Sequence, residues 1–104
     1  MHNVKYNSDV IVFIHEENIS KYINIYIKVV ENSFNNIKTI RIEKLTDPET
    51  GEEKVLFTPD VSGEIKDIQD DYNKYIEAIT EKIKLNIIPI EISYMICLHT
   101  NIII

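Results

Sequence analysis

The chain has 104 residues, a net charge of −6, and a composition 44% apolar and 27% charged. That length accommodates a single domain, residues 1–104, and the balance is that of a globular chain rather than a disordered one. The acidic excess argues against generic nucleic-acid or anionic-membrane binding, because both need a basic surface that displaces counterions.

Cys97 is the only cysteine, so no internal disulfide is possible, and a reducing, cytoplasmic location is the simplest expectation. The first nine residues lack the apolar run of a signal peptide, and no apolar stretch approaches the roughly 18 residues of a membrane span. Isoleucine and asparagine are abundant and Ala78 is the sole alanine, so part of the apparent strand signal reflects composition rather than conformation.

Taken in chain order, residues 10–14 form an apolar run that stops at His15-Glu16-Glu17-Asn18, read as a first strand ending in a polar turn. Residues 21–30 fit two periods. Lys21, Asn24, Lys28 and Glu31 make a polar stripe at helical spacing, while Ile23, Ile25, Ile27 and Val29 alternate as in a strand. The abundance of β-branched and tyrosine side chains favours the strand. A loop at 31–36 would then set Ile25 against Ile42, Ile27 against Ile40 and Tyr26 against Arg41. Residues 37–58 read as a hairpin around Asp47-Pro48-Glu49-Thr50-Gly51.

Residues 63–85 read as a helix. Ile65, Ile68, Tyr72, Tyr75, Ile76, Ile79 and Ile83 recur at intervals of three and four, with Asp60 or Ser62 as cap. Residues 88–98 alternate again and read as a final strand. The expected fold is α+β: a mainly antiparallel meander with helix 63–85 on one face. A ferredoxin-like β-α-β-β-α-β order is the alternative.

The chemistry-bearing residues are few. His15 beside Glu16 is a candidate acid–base pair with Cys97 in reserve, and this grouping carries the alternative reading of a small enzyme or ligand binder. No H-E-x-x-H motif follows His15. Cys97 and His99, with His2, fall short of a structural zinc set, so no metal and no cofactor are expected. Neither a dinucleotide nor a P-loop motif is possible with only Gly51 and Gly63. An RNA-recognition reading fails on charge and on the missing aromatic motif.

The expected function is therefore a non-enzymatic protein that binds a protein partner, as a homodimer. The helix-free sheet face of the meander would present Tyr22, Tyr26, Arg41, Met95 and Cys97, and tyrosine, methionine and arginine are enriched at interface cores. The terminal Ile102, Ile103 and Ile104 need cover. Asp67, Asp70, Asp71 and Glu77 offer an acidic docking side for a basic partner, as in an inhibitor or immunity protein that covers a nuclease.

Overall fold

The computed structural model describes residues 3–103, and the isoleucine expected to need cover at position 104 lies outside them. The elements are β1 (Asn3–Tyr6), α1 (Ser8–Glu17), α2 (Ser20–Ser33), β2 (Ile37–Thr46), β3 (Glu53–Val61), α3 (Ile65–Lys84), α4 (Ile90–Ser93), β4 (Ile96–Leu98) and β5 (Asn101–Ile102). Together they make a compact α+β fold of one five-stranded sheet and four helices among the described residues.

The sheet is mixed, not a meander. Its order is β1-β2-β3-β4, with β1 parallel to β2, β2 antiparallel to β3, and both β4 and β5 parallel to β3. The expected hairpin 37–58 is present, with Ile42 opposite Phe57 and Ile40 opposite Pro59. The element order resembles β-α-β-β-α-β with its first helix broken in two. The first and last strands nevertheless lie at opposite edges, unlike the ferredoxin-like pairing in which they are neighbours. Both crossovers step the same way across the sheet from strands of opposite sense, and their helices share one core. They must therefore be of opposite hand, one of them the uncommon left-handed form.

Two segments expected as strands are helices. Asn7 caps α1, its side chain accepting a hydrogen bond from the Val10 amide at 2.9 Å. Asn18 ends α1 in the left-handed region at φ 55°, returning its amide to the Ile14 and His15 carbonyls. Thus His15, Glu16 and Glu17 are the last turn of a helix. Helix α2 has no side-chain cap at its start, and tertiary burial supports it. Ile23, Tyr26, Val29 and Val30 are buried at helical spacing, and the Tyr26 ring packs against Phe57 at a tilt of 41° with centroids 5.9 Å apart. The place beside β2 expected for 25–27 is taken by β1, with Val4 opposite Ile40 and Tyr6 opposite Ile42.

Helix α3 matches its expected span to within two residues at the start and one at the end. Neither expected cap serves it. Glu64 occupies the cap position without a side-chain bond, and Asp60 is engaged within the sheet. The expected strand 88–98 survives only as β4, because Pro89 opens the short helix α4. All helices cover one face, where Ile40, Ile42, Val55, Phe57 and Val61 are buried.

Candidate functional site

His15 and Glu16 sit exposed on the final turn of α1. Beside them, α1, α2 and the end of β1 enclose an open hollow of about 390 Å³. Ile11, Ile14 and Ile23 contribute its apolar lining, and Tyr6, His15, Ser20 and Asn24 its polar groups. Burial raises the Tyr6 phenol above its ordinary pKa. Glu16 does not line this hollow, and neither does Cys97. Cys97 pairs with Leu56 on the helix-free face and borders a separate hollow of about 490 Å³ near the hairpin tip. The grouping of His15, Glu16 and Cys97 is therefore not assembled.

The helix-free face differs from the expected aromatic surface. Tyr26 is 1% exposed in the helix-side core, and Tyr22 and Met95 are half-buried against that same core. The physical reason is the change of 21–30 from strand to helix: period 3.6 sends Tyr22 and Tyr26 together toward the sheet. Of the five residues expected there, Arg41 and Cys97 remain on the helix-free face.

Arg41 organises a polar network on that face. Its Nε and Nη2 donate to the two Asp60 carboxylate oxygens at 3.0 and 2.9 Å, and Asn101 Nδ2 donates to Asp60 Oδ1 at 2.8 Å. Glu43 stands 3.7 Å from Arg41 Nη1. The Arg41 hydrogen bonds, then that from Asn101, hold the Asp60 carboxyl below its ordinary pKa despite partial burial. This contribution is present above the unfolded carboxyl pKa of about 4 and disappears as pH falls through the lowered folded value. Asp60→Asn should cost about 1 kcal/mol at pH 7, a figure discounted for the exposed guanidinium, and should flatten the acid limb of thermal stability measured from pH 7 to 2.

The acidic side divides as well. Asp67, Asp70 and Glu77 are exposed, but Asp71 is only 6% exposed. Its carboxylate accepts from the Asn35 amide at 3.2 Å and Asn35 Nδ2 at 3.4 Å, with Lys74 Nζ 3.6 Å away. Asp71 therefore ties α3 to the α2–β2 connection and is corrected from docking residue to structural anchor. Asp71→Ala should lower unfolding free energy by about 1–3 kcal/mol in urea titration, because the Asn35 donors lose their partner. At the C-terminal end, Ile102 is partly exposed, and the Ile103 amide donates to the Val61 carbonyl at 2.7 Å.

A surface that the sequence reading assigned to the core lies on α3. Its apolar residues form two rows. Ile68, Tyr75 and Ile79 are buried, whereas Ile65, Tyr72 and Ile76 are 63%, 38% and 43% exposed, and Ile83 in the same row is half-buried. Gln69, Asn73 and Thr80 flank the outer row on its solvent side, and all three are exposed and uncharged. The charged residues Asp67, Asp70, Lys74 and Glu81 lie farther around the helix. The readable signal was width: seven apolar positions make a stripe broader than one sheet contact buries. Helix α2 meets α3 on the other side, where Phe34 packs near Tyr75. At the far end, Ile83 and Ile90 share a hollow of about 450 Å³.

No group of three or more His, Cys, Asp or Glu side chains able to hold a metal occurs among the described residues, and His2 lies outside them. No helix among the described residues is long and apolar enough to cross a membrane. The chain matches no family model, no curated protein and no solved structure.

Proposed function

We propose that this protein is a non-enzymatic, intracellular interaction protein that works by binding a protein partner through the outer row of α3. One observation carries the reading: Ile65, Tyr72 and Ile76 stand exposed in line along a helix whose adjoining positions are uncharged. Apolar and aromatic side chains with charge kept to the rim are the composition of an interface core. The binding surface thereby moves from the helix-free sheet face expected from the sequence to α3.

The second reading, a small-ligand binder, rests on the hollow between α1 and α2, where Tyr6, His15, Ser20 and Asn24 surround apolar side chains. A photo-crosslinking side chain placed at position 76, and separately at position 15, distinguishes the two in extract of the source cells. Protein adducts at 76 and none at 15 support protein binding. Absence of adducts at 76, together with saturable small-molecule binding abolished by His15→Ala, favours the second reading.

A further inference from the structure

We infer that the partner of the α3 surface is a second copy of this chain, bound antiparallel about a two-fold axis that crosses the outer row midway between Tyr72 and Ile76. This inference rests on the protein-binding reading and identifies the occupant. The outer row runs Ile65, Tyr72, Ile76, Ile83, with spacings of seven, four and seven. That pattern is the same read from either end. In an antiparallel pair so centred, Ile65 falls opposite Ile83 of the second copy and Tyr72 falls opposite its Ile76. Every outer-row side chain then meets another, which is the self-complementarity that an isologous contact demands. The row extends about 27 Å at 1.5 Å per residue, so the seam runs nearly the whole helix.

The helix dipoles favour the same orientation, because antiparallel copies oppose them whereas parallel copies would set like ends together. The row is also free on the side needed for approach, because α2 occupies the Asp71 and Tyr75 side of α3.

Sedimentation equilibrium of the full chain should show a monomer–dimer equilibrium. Ile76→Glu should weaken it by about a hundredfold or more, because a carboxylate would be buried without a partner. Its circular dichroism should be unchanged, since Ile76 is already exposed in the single chain.

Orientation is tested with Cys97→Ser chains carrying Ile65→Cys or Ile83→Cys. Mixed chains should form the 65–83 disulfide under mild oxidation, and 83–83 links should be rare. Predominant 83–83 links would overturn the antiparallel arrangement. A wild-type chain monomeric at high micromolar concentration would overturn self-association, while protein adducts at position 76 in extract would leave the protein-binding reading standing. Absence of both would remove the two together.

Discussion

Phe57→Ala is expected to lower the unfolding free energy by about 3–5 kcal/mol, the usual range for removing a buried aromatic ring. Phe57 is fully buried in β3 of the mixed sheet, its ring against Tyr26 of α2, with Ile42 and Leu98 as its register partners on either side. The cavity would open where α2 meets the sheet, and neither strand neighbour could collapse into it without breaking its ladder. Domains of this kind have only about 5–15 kcal/mol in total, so the variant should sit close to its unfolding threshold at ambient temperature. Urea titration followed by circular dichroism measures the loss. Leu56→Ala is the internal control, because Leu56 faces the helix-free side and is only half-buried. Its cost should stay near 1 kcal/mol, and equal costs at the two positions would contradict the assignment of faces.

A second large effect should appear in alkali. Burial pushes the Tyr26 phenol up to about 12, and burial with Tyr26 and Tyr72 nearby raises Tyr75 also. Each folded pKa lies above the unfolded value near 10, so the folded chain holds protons that the unfolded chain releases. Stability is unaffected below about pH 10 and falls as pH rises toward the folded values. For Tyr26 alone the loss reaches about 2 kcal/mol at pH 12. The Tyr26 hydroxyl also has no hydrogen-bond partner among the described residues. Tyr26→Phe should therefore displace the alkaline transition upward and add about 1 kcal/mol at neutral pH, since it removes a buried polar group with nothing to pair it. Thermal midpoints from pH 8 to 12 in both chains test this, and identical alkaline limbs would contradict it.

These two residues connect stability to the proposed contact. Tyr26 and Phe57 fix α2 on the sheet, Asp71 and Phe34 fix α3 beside α2, and α3 then presents Ile65, Tyr72 and Ile76 outward. Loss of Asp71 should thus weaken association as well as stability, whereas Asp60, on the opposite face, should affect stability alone.

The sequence by itself determined the hairpin 37–58 and the helix 63–85. In the hairpin, alternation and the Asp47–Gly51 turn agree, and Gly51 supplies the φ of 75° that other residues rarely adopt. In the helix, a 3.6 period persists over five turns with charge opposite. Asn7-Ser8-Asp9 also held a readable helix start, and Asn18 a readable stop. The stretch 21–30 held no such answer. Its isoleucines, valines and tyrosines satisfy both periods, and their weak helix propensity is worth only tenths of a kcal/mol per residue. Burying Ile23, Tyr26, Val29 and Val30 against β2, β3 and α3 outweighs that, and only the assembled sheet offers the surface to bury them on. The same is true of the candidate surface. Sequence placed Tyr72, Tyr75, Ile76 and Ile79 on one stripe, but the position of α2 decided which row became core and which stayed open. The tertiary structure likewise made Asp71 an anchor and separated His15 from Cys97, because strand order and helix placement depend on contacts far apart in the chain.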